Sequence, residues 1–280
     1  NLIKKFIDQD FKVYAIAPNI DSSNKDFLNQ LGVQIEMINF ERKSINPFSS
    51  FKGLIALISI LKTIKPTYVF SYTHKPLVFG AIASYVAGVP KIISLVTGTG
   101  HIFDNYNFLT KIRRVLGLLG FKLALKLSTF VIFQNKDDRT FFHELKLVDL
   151  SKTSIVNGSG VDIDHFSPEI FPDELTFLCL ARLIKSKGLQ EYAEACSIVR
   201  AKIPKARFLL GGPPDMHDDS IDINEIKNQW KQKYGIEYLG FIEDPREAIK
   251  QSSVYMLLSY NEGTPRTVLE AMAMGRPIIT

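Results

Sequence analysis

The chain has 280 residues and a formal net charge of +5, with 46% apolar and 22% charged residues. This composition is that of a globular protein, and it excludes a disordered, collagen-like or coiled-coil chain. Both cysteines, Cys179 and Cys196, lie within apolar runs. They therefore predict buried side chains in a reducing compartment rather than a disulfide framework. A chain of this length is expected to form about two domains.

The charge is divided unevenly along the chain. Residues 1–160 carry 20 basic and 11 acidic side chains, whereas residues 161–280 carry 14 and 18. A basic half predicts an anionic partner, such as a nucleic acid, a lipid surface or a phosphorylated acceptor. The first element reads as a helix and the last residues as the inside of a strand, so we expect a piece of a longer protein.

Short apolar runs alternate with longer amphipathic runs throughout the chain. In the first half the predicted strands are residues 12–17, 33–38, 68–72, 92–96 and 130–134, and the predicted helices are residues 51–64, 77–87, 108–127 and 137–146. In the second half the predicted strands are residues 176–180, 207–210, 237–239, 254–258 and 277–279, and the predicted helices are residues 188–202, 222–233, 245–251 and 267–274. This alternation predicts an α/β fold in which each half forms one doubly wound parallel sheet.

A turn-forming segment, residues 157–162, separates the two halves. We therefore predict two Rossmann-like domains, residues 1–158 and 159–280, that face each other across a cleft. Residues 111–127 combine five basic side chains with apolar ones at helical spacing. Such a helix can lie on an anionic membrane surface, although an ordinary helix that covers a sheet shows the same pattern.

The strongest candidate site lies in residues 261–270, after a predicted strand and at the start of a helix. Gly263 permits close approach of the backbone, and Pro265 suits the first turn of a helix, where N–H groups can hold phosphate. Glu262 and Glu270 are eight residues apart and can accept hydrogen bonds from the hydroxyls of one ligand. The alternative is a capped helix with acidic residues near its start.

A second candidate site is the strand-to-helix loop in residues 180–189. Arg182 offers a planar fork of donors and Lys187 a mobile point charge, which together suit a diphosphate. The loop follows the carboxyl end of a strand, where α/β sheets bind ligands. The alternative is a solvated basic turn.

Together the two motifs resemble family 4 of the retaining glycosyltransferases, which have the GT-B fold. By this resemblance Arg182 and Lys187 stabilise the leaving diphosphate, Glu270 holds the ribose hydroxyls, and Glu262 contacts the donor sugar. The resemblance implies further donor-binding residues, which are Gly211, Ile242, Gly263, Thr264, Pro265, Arg266 and Thr267. Members of the family also have a first strand with a glycine-bearing loop and further C-terminal elements, so we expect this chain to be truncated at both ends.

Residues 42–48, 74–84 and 96–103 are similar to bacterial enzymes that add N-acetylhexosamines to lipid-linked oligosaccharides, above all to N-acetylgalactosaminyltransferases. By this resemblance residues 1–158 form the acceptor side and residues 159–280 bind the nucleotide sugar. His74, Lys75 and Gly98 are candidate acceptor contacts. His101 is a candidate catalytic residue that lines the cleft, with an ordinary loop histidine as the alternative.

No metal or other cofactor is expected. Asp162 and Asp164 match a D-x-D pattern, but Arg182, Lys187 and a helix start can already neutralise a diphosphate. The glycines near residue 98 lack the spacing and context of a dinucleotide fingerprint.

The resemblance thus implies a retaining transferase that moves an N-acetylhexosamine from a UDP-sugar to a lipid-diphosphate-linked saccharide in surface glycan or glycoprotein assembly. We expect it in the cytoplasm, at the inner face of a bacterial membrane, in peripheral contact with anionic lipid and without nucleic acid. One alternative is a GT-B sugar-nucleotide epimerase or phosphorylase. A more remote alternative is a basic module that binds membrane or nucleic acid.

Overall fold

A computed structural model describes residues 2–38, 47–98, 108–215 and 219–280. The chain divides into two compact units, Asn1–Val156 and Asn157–Thr280. Strands alternate with helices in each unit, and the strand pairings in both are parallel. The α/β class predicted from the sequence is therefore confirmed.

The strands of the first unit form two sheets. The members are β1 (Tyr14–Ala17) and β2 (Gln34–Met37) in one sheet, and β3 (Tyr68–Tyr72), β4 (Lys91–Val96), β5 (Phe130–Phe133) and β6 (Thr153–Ile155), in that order, in the other. The sequence predicted one doubly wound sheet, whereas no hydrogen-bonded pairing among the described residues joins β2 or β1 to β3. It also missed β6, because a three-residue strand that begins Thr-Ser has little apolar signal.

Six helices of the first unit are described. They are α1 (Leu2–Ile7), α2 (Ser22–Gln30), α3 (Pro47–Ile64), α4 (His74–Ala87), α5 (Phe108–Leu127) and α6 (Lys136–Glu144). Helix α2 was not predicted, because its composition is mostly polar. Its start is nevertheless encoded locally, because the Asp21 carboxylate accepts a hydrogen bond from the Asn24 N–H at 2.9 Å.

The core of the first unit lies between α5, α6 and the larger sheet. Phe121, Phe133 and Phe142 are fully buried, and the Phe142 ring centroid lies 5.9 Å from that of Phe121 and 5.5 Å from that of Phe133. Both contacts are edge-to-face, the arrangement that the aromatic quadrupole favours. Among the described helices, none combines the length and apolar character that crossing a bilayer requires.

The second unit has one five-stranded sheet with the order β11-β10-β7-β8-β9. Its strands are β7 (Thr176–Leu180), β8 (Arg207–Gly211), β9 (Ile236–Gly240), β10 (Val254–Met256) and β11 (Ile278–Ile279). The strand that opens the unit, β7, lies at its centre. The ends of β7, β8 and β9 therefore come together at one edge of the sheet.

The helices of the second unit are α7 (Leu189–Lys202), α8 (Ile223–Glu225), α9 (Lys231–Tyr234), α10 (Arg246–Lys250) and α11 (Arg266–Ala273). The sequence predicted one helix over residues 222–233. The structure instead places a π-helical turn, Ile226–Trp230, between α8 and α9. Trp230 is fully buried, and its indole N–H donates to the Glu225 carboxylate at 3.1 Å.

The two cysteines lie in the core of the second unit, as predicted. Cys179 and Cys196 are both buried and unbridged. Burial raises the pKa of each thiol to about 12. Because the thiolate is the reactive form of cysteine, both side chains act as small apolar groups.

Candidate nucleotide-sugar site in the second unit

The loop between β7 and α7 carries the two predicted phosphate-binding cations. It contains Arg182 and a 3-10 turn, Lys185–Lys187, and it ends at Gly188. Gly188 has φ 65°, and a Cβ atom there would lie 2.0 Å from the Leu258 carbonyl oxygen. Glycine is thus required for both the left-handed turn and the close packing of this loop against the segment after β10.

The segment after β8 follows the other side of the same loop. Leu183 N–H donates to the Pro213 carbonyl at 3.1 Å, and Lys185 N–H donates to the Asp219 carbonyl at 2.9 Å. The Arg182 guanidinium donates to the Asp215 carboxylate at 2.6 Å. The loop is therefore held by backbone bonds next to its cations.

The segment between β10 and α11 joins the loop through a side-chain ion pair. Lys187 donates to the Glu262 carboxylate, and the Tyr260 N–H donates to the Ser186 carbonyl at 3.1 Å. Lys187 and Glu262 are 75 residues apart in the chain, with side chains 17% and 26% exposed. The two motifs singled out in the sequence are thus in contact.

A pocket of about 580 Å³ opens at the carboxyl ends of β7, β8 and β9. Six of the predicted donor-binding residues line it, namely Arg182, Gly211, Ile242, Arg266, Thr267 and Glu270. Lys187, Glu262, Gly263, Thr264 and Pro265 are not among its described lining residues. The structure therefore gathers half of the proposed donor site in one pocket and places the Lys187–Glu262 pair beside it on the same two loops.

Glycines shape the pocket wall at the end of β8. Gly212 has φ 149°, and a Cβ atom there would lie 1.8 Å from the Ala181 carbonyl oxygen. The neighbouring Ala181 N–H donates to the Gly211 carbonyl at 3.0 Å. Only glycine allows the two strand ends to approach this closely.

Ten further residues line the pocket. Leu180 and Ala181 belong to the candidate loop at residues 180–189, although no individual role was predicted for them. The others are His165, Phe166, Gly212, Pro213, Phe241, Glu243, Asp244 and Pro245. Of these residues, Phe241 and Pro245 had the strongest sequence signal for a place in the site. Phe241 directly precedes the predicted contact Ile242, and Pro245 follows it by three residues. His165 reaches the pocket through tertiary packing of the segment after residue 160, which no local pattern revealed.

A buried arginine anchors this segment. Arg276 is 3% exposed and donates hydrogen bonds to the carbonyls of Glu169, Ile170, Ile249 and Lys250. These bonds tie the chain just beyond His165 to the end of α10. A buried guanidinium needs such partners, because its charge is costly to remove from water.

Glu270 is the most deeply buried charged group of the pocket. Its side chain is 7% exposed, and its carboxylate accepts from Arg266 at 3.0 Å. Burial raises the pKa of Glu270, and the Arg266 guanidinium opposes that rise. Next to it, hydrogen bonds from Arg246 lower the pKa of Asp244 to about 2.

The D-x-D segment forms a turn in this structure. The Asp162 carboxylate accepts from the N–H groups of Asp164 and His165, both at 3.2 Å. Within the described ranges, no group of three His, Cys, Asp or Glu side chains could hold a metal ion. Among the described lining residues, Arg182 and Arg266 carry the guanidinium groups of the pocket.

The predicted acceptor residues lie in the first unit. His74 and Lys75 begin α4, directly after Thr73, which has φ 65°. The His74 ring meets that of Phe121 edge-to-face, with centroids 5.4 Å apart. Gly98 is buried two residues after β4, and His101 lies outside the described residues.

Two family models match this chain. Residues 1–135 match the model described as Glycosyl transferase 4-like, and residues 174–280 match the model described as Glycosyl transferases group 1. The chain also superimposes on the crystal structure of Anabaena Alr3699/HepE in complex with UDP and glucose. The TM-score is 0.71 at 17% identity, over 99% of this chain and 75% of that one.

Two curated relatives extend the comparison. The chain is 28% identical to the N,N'-diacetylbacillosaminyl-diphospho-undecaprenol alpha-1,3-N-acetylgalactosaminyltransferase of Campylobacter jejuni, over 99% of this chain and 75% of the relative. It is 26% identical to the UDP-Gal:alpha-D-GlcNAc-diphosphoundecaprenol alpha-1,3-galactosyltransferase of Escherichia coli, over 85% of this chain and 63% of the relative. The chain thus spans 63% to 75% of the length of these relatives.

The fold and the two family-model matches together identify this chain as a glycosyltransferase with the GT-B fold. Its first half is of the glycosyl transferase 4-like type and its second half of the group 1 type, so the resemblance to family 4 is confirmed.

Proposed function

We propose that this protein transfers an N-acetylhexosamine from a UDP-sugar to a lipid-diphosphate-linked saccharide, with retention of anomeric configuration. One observation carries the donor assignment: Arg182, Arg266 and Glu270 line a pocket at the carboxyl ends of three parallel strands. Ligands of open α/β sheets bind at this edge. The names of the Campylobacter jejuni and Escherichia coli relatives, which specify diphosphoundecaprenol-linked acceptors, support the acceptor class.

Each donor residue has a role that its chemistry supports. Glu270 accepts hydrogen bonds from ribose hydroxyls, for which its ionised carboxylate is suited. Arg182 and Lys187 stabilise negative charge that develops on the departing diphosphate, where fixed cations act most strongly. Glu262 positions the donor sugar. In this proposal the cations do the work of a metal, and the reaction needs no further cofactor.

The acceptor is proposed to bind the basic first unit at the inner face of a bacterial membrane. On α5, Val115, Leu119 and Leu123 are 46% to 57% exposed and recur every four residues, so they form one apolar stripe. Lys122 and Lys126 are exposed on the same helix. An apolar stripe beside cations matches an anionic lipid surface, and we name these five residues the α5 surface.

A sugar-transfer assay in which the products are identified tests the proposal. The full chain is incubated with UDP-N-acetylgalactosamine or UDP-N-acetylglucosamine and a polyprenyl-diphosphate saccharide. The expected product is the extended lipid-linked saccharide together with UDP. Conversion of the UDP-sugar to a free isomer in the absence of acceptor would instead identify an epimerase.

The Lys187–Glu262 pair provides the matching variants. Lys187→Met and Glu262→Gln should each lower turnover by about a hundredfold or more, because fixed charge near the reacting centre contributes on that scale. Lys205→Met, on the exposed segment before β8, serves as the charge-matched control. Near-wild-type turnover in either pair variant would refute the role assigned to that residue.

A further inference from the structure

The pocket cation Arg182 is already bound to a carboxylate. Its guanidinium is half-exposed, at 50%, and donates to Asp215 at 2.6 Å, whereas the Asp215 side chain is only 14% exposed. Charge-assisted bonds of this length are among the stronger hydrogen bonds in proteins. Arg182, which lines the pocket, thus carries a carboxylate partner whose own side chain is largely shielded from solvent.

The backbone fixes the two partners next to each other. Leu183, which follows Arg182, donates its N–H to the Pro213 carbonyl at 3.1 Å, two residues before Asp215. Further along, the Ile221 N–H donates to the Leu183 carbonyl at 2.9 Å. Asp215 therefore lies between two residues, Pro213 and Ile221, that are both hydrogen-bonded to the backbone of Leu183.

An anionic ligand that approaches the Nη1 group of Arg182 competes with Asp215 for it. Arg182 and Pro213 line the pocket, and the carboxylate stands directly against the guanidinium. A phosphate group that takes a place on this guanidinium comes within a few ångströms of a like charge. Like charges this close repel each other appreciably even in a solvent-like dielectric.

We propose that Asp215 lowers the affinity of the pocket for the nucleoside diphosphate by competing with it for Arg182. It binds the guanidinium when no nucleotide is present, releases it to the diphosphate, and binds it again as the nucleoside diphosphate leaves. The carboxylate thereby weakens retention of the product. This inference rests on the proposed function, because it takes a nucleoside diphosphate as the ligand of the pocket.

Calorimetric titration of the full chain with UDP tests the inference. Asp215→Asn should bind UDP about tenfold more tightly than wild type, because it removes the competing charge and keeps the shape. Asp215→Glu keeps the charge and should keep the wild-type affinity. Asp173→Asn is the control. Asp173 is exposed and precedes β7, at the end of the strand away from the pocket. Its replacement changes the net charge by the same amount as Asp215→Asn.

A double variant isolates the Arg182 contact. In an Arg182→Gln background the gain from Asp215→Asn should fall below about twofold, because there is no guanidinium left to compete for. A purely structural role of Asp215 would leave the gain independent of Arg182. Should Asp215→Asn fold poorly, Asp215→Ser supplies the same neutralisation, and circular dichroism establishes which variant is compared.

The outcomes separate the inference from the function on which it rests. UDP binding by wild type, with unchanged or weaker binding by the neutral variants, overturns the inference alone. A gain of equal size in the Arg182→Gln background also overturns it. No UDP binding by wild type overturns the proposed function and the inference together.

Discussion

Glu270 combines a polar role with a buried position in the first turns of α11. Burial raises its pKa, and the contact with Arg266 only partly opposes that rise. A carboxyl group whose pKa is higher in the folded state favours folding at pH values below its unfolded pKa. That contribution is lost as the pH rises through the folded pKa. At neutral pH the ionised Glu270 therefore lowers stability, which is a common property of functional sites.

Glu270→Gln should consequently raise the free energy of unfolding by roughly 1 kcal/mol near pH 8, with the difference shrinking as the pH falls towards 4. Urea denaturation at both pH values measures it. Glu247→Gln, an exposed position on α10, is the control and should show no such pH-dependent gain. A variant that is less stable than wild type at pH 8 would show that the Arg266 pair outweighs the cost of burial.

At the scale of elements, the strand ends around the pocket depend on close backbone contact. Gly212 adopts φ 149°, and any Cβ there would overlap the Ala181 carbonyl. Gly32 also has a positive φ, of 75°, but a Cβ there would meet nothing within 4 Å. The two glycines therefore separate the effect of a clash at the pocket from the effect of backbone strain alone.

Gly212→Ala should weaken UDP binding by more than about tenfold, because the displaced strand ends carry Ala181 and Arg182 into the pocket. Gly32→Ala should cost about 1–2 kcal/mol of stability from its left-handed conformation and leave UDP binding unchanged. Calorimetry and thermal unfolding of the two variants make the comparison. Equal UDP affinity in Gly212→Ala and wild type would show that the pocket tolerates this displacement.

Many of the helices and strands could be predicted, because their formation depends on the local sequence. Strands β3 and β7 have the predicted bounds, since each is a five-residue apolar run between turn signals. The motifs that contain Lys187 and Glu262 were identified from the sequence, but their direct contact was not predicted, because it depends on the pairing of β7 with β10. Asp215 could not be predicted, because its approach to Arg182 depends on backbone pairing between segments that share no sequence pattern.

At the scale of the whole molecule, the proposed membrane contact rests on the uneven charge and on the α5 surface. Residues 1–160 hold the excess of basic side chains. Exposed Leu119 and Leu123 lie beside Lys122 on one helix. Burying two leucines in the lipid interface, with cations near anionic headgroups, favours peripheral binding.

A double variant, Leu119→Ser with Leu123→Ser, should reduce binding to vesicles of anionic phospholipid by about tenfold or more, since each leucine contributes 1.5–3 kcal/mol when fully buried. Vesicle sedimentation measures the change. Ile198→Ser removes an exposed apolar side chain from α7 of the second unit and should bind as wild type does. Equal vesicle binding by the double variant and by wild type would show that the α5 surface does not bind the membrane.

The central claim is that the pocket at the ends of β7, β8 and β9 binds the nucleotide part of the donor. Calorimetric titration of UDP into the full chain, the Arg182→Gln variant and the Glu270→Gln variant tests it most directly. We expect wild type to bind UDP and each variant to bind it at least about tenfold more weakly, since each removes a charged contact to the ligand. UDP binding that is unchanged in both variants, or absent from the wild-type chain, would contradict it.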